Sequence, residues 1–233
     1  MQEVAAKTHR ANIIHHIIIN VSLITLIIAI YCLITDNQSV DAFGSNIIYK
    51  TNQKNSISME CIVAWDSEYI DSLLNVLEKE NVKITFVLSG AWCEQNSDML
   101  RRIAKDEHKI ATCSMNYSDT QNLKTKELAA SINKSIGIIE NLSGKKVSYY
   151  YCPTNDTSKA AKAAKIARID CVRCSVDLLS ARGDEDSIVE RAKNNANDKW
   201  IVAFTPTMSM INALPTVFEH YRSAELEIIP VVI

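Results

Sequence analysis

The segment Val82-Lys-Ile-Thr-Phe-Val-Leu-Ser-Gly-Ala-Trp92 decides the fold of this chain. Its β-branched and aromatic residues predict a short buried strand over Lys83–Leu88, which a turn follows. Other β-rich runs recur along the chain, with helical stretches between them. They are Ile57–Ala64, Lys109–Cys113, Ser148–Tyr151, Asp170–Val176, Trp200–Phe204 and Glu227–Val232.

Two intervening stretches show the apolar spacing of amphipathic helices. One covers Glu68–Lys79, and the other covers Lys124–Asn141 with apolar side chains recurring on one face. Strands that alternate with helices favour parallel strands joined by crossover helices. An open doubly wound sheet and a closed barrel share this pattern, so periodicity does not separate them.

The N-terminal region predicts a membrane anchor. Ile13–Ile34 is mostly Ile, Leu and Val, carries no Asp, Glu, Lys or Arg, and is long enough to cross a bilayer as a helix. Lys7 and Arg10 precede it, whereas Asp36 and Asp41 follow it. The positive-inside rule therefore places the N-terminus in the cytoplasm and the larger domain outside the cell membrane.

A cleaved signal peptide is the alternative interpretation of this region. His15, His16 and Asn20 are costly in hydrocarbon, and Val40-Asp41-Ala42 offers small residues that a signal peptidase accepts. We favour the uncleaved anchor because the apolar core of a signal peptide usually has only about 7–15 residues.

The remaining chain predicts a tether and one folded domain. The segment after the anchor is polar and lacks a periodic apolar pattern, as a linker does. The predicted division is a cytoplasmic N-terminus at 1–12, the anchor at 13–34, a linker at 35–55 and the folded domain at 56–233. The formal net charge of −2 gives no reason to expect a nucleic-acid partner.

Cysteine spacing does not indicate a disulfide framework among the seven cysteines. Cys171 and Cys174 form a CxxC motif inside the predicted strand Asp170–Val176. Residues three apart on a strand point to opposite faces, so we expect two buried thiols and not a zinc or redox site.

The segment from Val82 to Trp92 resembles the VKATFFxxGxW strand and turn of the polysaccharide deacetylase (NodB homology) family. The resemblance continues through Asp98–Ile103 and His108–Ile110, and it covers most of residues 56–233. It implies a distorted (β/α) barrel with the active cleft at the carboxyl ends of the strands.

Family enzymes hold a divalent metal with one Asp and two His and deliver water to an acetyl carbonyl on a glycan. In this chain the first motif is Cys61-Ile-Val-Ala-Trp-Asp-Ser-Glu-Tyr69, which resembles the family run FDVAWGNEY, but Ile62 replaces the Asp. Glu60 and Asp66 are nearby carboxylates. A structural role suits both, and Asp66 would cap the following helix.

The next two motifs have also lost their functional side chains. The family's HSxxH becomes Cys113-Ser-Met-Asn-Tyr117, without either imidazole. Its RPP becomes Tyr151-Cys152-Pro153, without the guanidinium that orients the catalytic carboxylate.

The last two motifs retain one acid. Asp177 persists in a segment that resembles WSVDxxDW, but Ser180-Ala181 replaces the final DW pair. Thr205 stands at the position of the acid His and does not donate a proton near neutral pH. We therefore predict a pseudoenzyme with no catalytic residue, no bound metal and no cofactor.

Three functions remain open on these residues. The first is a membrane-anchored, inactive domain that binds cell-wall glycan or an envelope protein. The tyrosines at 149–151 would then serve either to stack on sugar rings or to pack within the strand. The second is an active deacetylase whose remodelled site uses Glu60, Asp66 and Cys113. The third is an envelope scaffold without a ligand in the old cleft. Because Ile62, Tyr117 and Tyr151 are bulky, we expect that cleft to be partly filled.

Overall fold

The computed structural model describes residues 20–25, 47–63, 68–179 and 182–233. The chain divides into two units, residues 1–40 and 41–233. In the first, residues 20–25 are helical (α1) and exposed. In the part of the chain that the structure describes, no helix has both the length and the apolar character needed to cross a bilayer. Most of the anchor at 13–34 lies outside the described residues, so it stays a prediction.

The second unit alternates strands and helices as the sequence predicts. The strands are β1 (Ile47–Ile48), β2 (Ser56–Val63), β3 (Thr85–Leu88), β4 (Lys109–Thr112), β5 (Val147–Tyr151), β6 (Cys171–Val172), β7 (Val176–Asp177), β8 (Ile201–Phe204) and β9 (Glu227–Ile229). The helices are α2 (Ile70–Lys79), α3 (Gly90–Gln95), α4 (Ser97–Lys105), α5 (Asp119–Asn122), α6 (Thr125–Ser143), α7 (Thr157–Ala167), α8 (Glu185–Asn194) and α9 (Met208–Ser223).

The strands form one curled parallel sheet in the order β1-β6-β5-β4-β3-β2-β8-β7, with β9 paired to β2. Parallel pairing confirms the predicted α/β architecture. The curvature gives a half-barrel, because the short segment from β6 to β7 pairs with β5 at its start and with β8 at its end.

The predicted single strand Asp170–Val176 is corrected to two short strands. Between them, the Arg173 amide donates to Ile48 O and the Ser175 amide donates to Ile201 O. Within three residues the chain thus leaves its pairing with β5 and begins to pair with β8, which interrupts the ladder of hydrogen bonds. Ile47 and Ile48, which lie in the segment 35–55 predicted as a linker, pair with β6 and so belong to the sheet.

The deciding segment folds as a strand and a capped helix start. Thr85–Leu88 is fully buried in β3, and Ser89 Oγ accepts a hydrogen bond from the Trp92 amide at 3.1 Å. A Cβ at Gly90 would lie 2.6 Å from Met115 Sδ, 2.9 Å from Ser135 Oγ and 3.0 Å from Ser135 Cα, so the close approach of the α6 backbone favours glycine there.

Alternate faces of the strands have different environments. One face packs under helices, with Leu77, Phe86 and Phe218 among its buried residues. The other face forms a separate cluster of strand and loop side chains, centred on residues such as Val87 and Tyr149. This second cluster fills the concave side of the half-barrel, which positions the site.

The C-terminal residues close the amino end of this interior. The Val231 amide donates to Thr85 Oγ1 at 3.0 Å, and Lys109 Nζ donates to Val231 O at 3.1 Å. The hydroxyl of Thr51 donates to Val232 O at 2.8 Å. Val231 is itself buried in the interior cluster, so the tail is part of the fold.

Candidate functional site

The structure brings together most of the residues that replace the family's functional groups. Ile62 near the end of β2, Cys113 after β4 and Tyr151 at the end of β5 belong to the interior cluster. Tyr117 and Cys174 are partly buried and pack against it. The carboxyl ends of the parallel strands meet there, which is where the family resemblance locates the active cleft.

These side chains do not offer metal-binding groups at neutral pH. Ile62 has no donor atom. Burial raises the pKa of Cys113 to about 12 and that of Tyr117 to about 12, so both are protonated. Burial also raises the pKa of Tyr151 well above its usual value. Because zinc needs thiolate, imidazole or carboxylate ligands, this set does not fit a metal ion.

Glu60 lies deeper in the interior and on the same face of β2 as Ile62. Its side chain is fully buried, and Tyr149 Oη donates to Glu60 Oε2 at 2.5 Å. Burial raises the Glu60 pKa to about 8, although the hydrogen bond from Tyr149 lowers it in part. The carboxyl is therefore mostly protonated at neutral pH, and Glu60 Oε1 has no hydrogen-bond partner among the described residues.

Asp177 is half-buried at the end of β7 and bonds to its own loop. Its Oδ1 accepts from the Leu179 amide at 2.8 Å, and its carbonyl accepts from Arg191 Nε at 2.5 Å. Thr205 follows β8 and is half-buried. Asp66 and the pair Ser180-Ala181 lie outside the described residues.

Within the described ranges, no group of three or more His, Cys, Asp and Glu side chains has the arrangement of a metal site. The two cysteines of the CxxC motif lie on opposite faces of the sheet, as their spacing on a strand predicts. Cys171 packs in the outer cluster with α6 and α7, whereas Cys174 packs in the interior, where its Sγ lies 4.0 Å from Tyr151 Oη.

A pocket of about 280 Å³ lies beside the filled cleft, and the sequence does not predict it. It is lined by Ser89, Ala91, Trp92, Gln95, Asn116, Tyr117 and Ser118. None of these residues is charged, and they combine hydroxyl and amide groups with two aromatic rings. We call it the side pocket. Its walls come from Ser89 and α3 on one side and from the loop after β4 on the other, and their contact depends on tertiary structure and leaves no local sequence signal.

A second cavity of about 430 Å³ lies at the opposite, amino end of the strands. Val147, Ser148, Lys165, Arg168, Ile169 and Asp170 line it. Its three charged residues give it a chemical character different from that of the side pocket.

Comparison with known proteins agrees with the geometry. Residues 57–171 match the model of the polysaccharide deacetylase family. The chain is 31% identical over 132 residues to the uncharacterized protein YlxY of Bacillus subtilis (strain 168), covering 56% of this chain and 41% of that protein. It is 21% identical over 117 residues to a 30.6 kDa protein of Geobacillus stearothermophilus, covering 50% and 44%. The chain thus spans less than half the length of either relative.

Solved structures share the fold. The wild-type BA3943 protein of Bacillus anthracis, a CE4 family pseudoenzyme, has a TM-score of 0.72 at 24% identity, covering 78% of this chain and 66% of that one. The Bc1960 peptidoglycan N-acetylglucosamine deacetylase has a TM-score of 0.71 at 18% identity, covering 79% and 89%. With the family match and the substituted motif positions, these likenesses show that the chain carries a degenerate domain of the polysaccharide deacetylase family.

Proposed function

We propose that this chain is a membrane-anchored pseudoenzyme that acts in glycan binding or scaffolding at the cell envelope. One observation carries the proposal. Side chains at the family's ligand positions, Ile62, Cys113 and Tyr117, pack with one another and are apolar or protonated. A domain that retains the deacetylase fold without the deacetylase chemistry is suited to binding.

Each catalytic step of the family lacks its side chain here. Water activation needs a metal or an ionised base, but Glu60 is mostly protonated and buried beneath Ile62. Proton donation to the leaving group needs an acid near neutral pKa, and a hydroxyl occupies that position at Thr205. BA3943, which shares this fold, is described as a pseudoenzyme, and this likeness supports the same interpretation.

Membrane attachment and an external location rest on the sequence of residues 13–34 and on its flanking charges. An external domain meets the cell-wall glycan, which is also the class of substrate that Bc1960 deacetylates. The side pocket supports a glycan over a charged ligand, because its lining is uncharged and rich in hydroxyl and amide groups. Tyr117 offers an aromatic face for a sugar ring.

The test measures turnover and binding on the purified full-length chain. We expect no release of acetate from an acetylated chito-oligosaccharide in the presence of zinc, and retention of the chain on insoluble peptidoglycan. Gln95→Ala in the side pocket should weaken retention. The matched change Ser148→Ala, in the cavity at the amino end, should leave it unchanged.

Two results would redirect the proposal. Acetate release that Glu60→Gln or Cys113→Ser abolishes would establish a remodelled deacetylase, the alternative function for this fold. Absence of both turnover and glycan retention would exclude glycan binding and favour an envelope scaffold with a protein partner.

A further inference from the structure

A buried acid lies directly behind one wall of the side pocket. Asp119 is only 8% exposed and begins α5, which follows the loop after β4 (residues 113–118). Its Oδ2 accepts hydrogen bonds from the Asn116 amide at 3.0 Å and from the hydroxyl of Ser131 in α6. Its Oδ1 accepts from Asn116 Nδ2 at 3.2 Å. Because a buried carboxyl is costly unless it is hydrogen-bonded, these contacts join the loop to α5 and α6.

Neighbouring contacts fix the position of the acid itself. Thr120 Oγ1 lies 2.5 Å from Tyr150 Oη, which attaches the start of α5 to β5. Ser131 Oγ, which donates to Asp119, also accepts from the Met115 amide at 3.0 Å. Asp119 therefore connects the loop after β4 to the sheet and to α6.

The loop that Asp119 holds forms a wall of the side pocket through Asn116, Tyr117 and Ser118. The Gly90 amide donates to Ser114 O at 3.0 Å, which places the loop against the start of α3. Ser114 has a φ of 79°, in the left-handed region that residues other than glycine rarely adopt. Because this backbone path is locally unfavourable, it depends on tertiary hydrogen bonds such as those to Asp119.

We propose that Asp119 is the positioning residue of the side pocket and that it orients the Asn116 amide to accept a hydrogen bond from a neutral glycan. Carboxylate oxygens accept hydrogen bonds, so Asn116 presents its Nδ2 to Asp119. Among the described residues, Asn116 Oδ1 has no hydrogen-bond partner. Asn116 is exposed at the pocket, so this oxygen can accept from a sugar hydroxyl or from the N–H of an acetamido group.

The same arrangement disfavours anionic ligands. A phosphate or carboxylate group at this wall would face the Asn116 amide oxygen, with the Asp119 carboxyl behind it. A sugar offers hydroxyl donors instead, which are complementary to that oxygen. The glycan contact rests on the proposed function, whereas the ordering of the loop by Asp119 does not.

The experiment combines amide hydrogen exchange, read by mass spectrometry, with retention on insoluble peptidoglycan, using the purified full-length chain. Asp119→Ala should accelerate exchange in residues 113–118 by about tenfold or more and should weaken retention, because three donors lose their acceptor. Asp119→Asn keeps one acceptor oxygen, so its exchange should be intermediate. It decides the same question if Asp119→Ala does not fold.

Asp184→Ala is the matched control. Asp184 is exposed and caps α8 by accepting from the Ser187 amide at 3.0 Å, and it does not line the side pocket. Its replacement should change neither the exchange of residues 113–118 nor retention on peptidoglycan.

Asn116→Ala separates the order of the loop from the contact with the glycan. The variant keeps the backbone amide that donates to Asp119, so residues 113–118 should still exchange slowly. Its retention should fall about two- to tenfold, the effect of one neutral hydrogen bond.

Three results would overturn parts of the proposal. Unchanged loop exchange in both Asp119 variants would overturn the positioning role. Retention of Asn116→Ala equal to that of the wild type would overturn the amide contact. If the wild type is not retained on peptidoglycan, the glycan contact fails together with the proposed function, and the exchange rates alone decide the role of Asp119.

Discussion

Replacing Glu60 by Gln should change how the stability of this protein depends on pH. The carboxyl is fully buried, and burial raises its pKa from the usual 4.5 to about 8. Between these values the unfolded chain has an ionised Glu60 while the folded chain keeps it protonated. The folded state thus binds more protons, so the free energy of unfolding falls as pH rises through this window.

The magnitude follows from the two pKa values. Integration of the linkage relation gives a loss of about 1 kcal/mol at pH 5 and about 4 kcal/mol at pH 8. Glutamine is neutral throughout, and its carbonyl can accept the hydrogen bond from Tyr149. The variant should lack this pH dependence. Any change that the amide group itself makes to the free energy of unfolding should be the same at every pH. The stability difference between the proteins should change by about 3 kcal/mol from pH 5 to pH 8.

Urea unfolding followed by tryptophan fluorescence measures this difference at each pH. The matched control is Glu140→Gln, because the hydrogen bond from Lys146 lowers the pKa of Glu140. Glu140 is therefore ionised in both states across the window, and its replacement should not alter the slope. Parallel stability curves for the wild type and Glu60→Gln between pH 5 and pH 8 would refute the account of a protonated buried acid.

Three other changes test neighbouring parts of the structure. The triple variant Ile62→Asp, Cys113→His and Tyr117→His should have a lower melting temperature than the wild type without metal, because it buries polar groups. Added zinc should raise the melting temperature of the variant and leave that of the wild type unchanged. Gly90→Ala should cost about 1–3 kcal/mol in urea unfolding, since its Cβ would lie 3.0 Å from Ser135 Cα in α6. Burial lowers the pKa of His108 to about 4, so wild-type stability should fall between pH 6.5 and pH 4, and less so in His108→Gln.

Much of the fold follows from local sequence. The segment Val82–Trp92 predicts β3 and the turn after it, and the alternation of strands and helices predicts parallel pairing. The break between β6 and β7 does not follow from the sequence of that segment. It arises because residues 173–175 exchange β5 for β8 as a neighbour, and that exchange depends on distant strands.

The sequence predicts which residues occupy the site, but it does not predict what surrounds their side chains. Sequence motifs indicate that Ile62, Cys113 and Tyr151 replace functional residues, and the structure places them in one cluster. The hydrogen bond between Glu60 and Tyr149 joins residues 89 positions apart, so it leaves no local signal.

Zinc content of the full-length chain tests the central claim most directly. After equilibration with zinc and removal of the excess, elemental analysis should find far less than one zinc per chain, unchanged in Cys113→Ser. Binding of one zinc per chain, lost in Cys113→Ser or in Glu60→Gln, would contradict the claim that the family's metal site has been replaced by packed, protonated side chains.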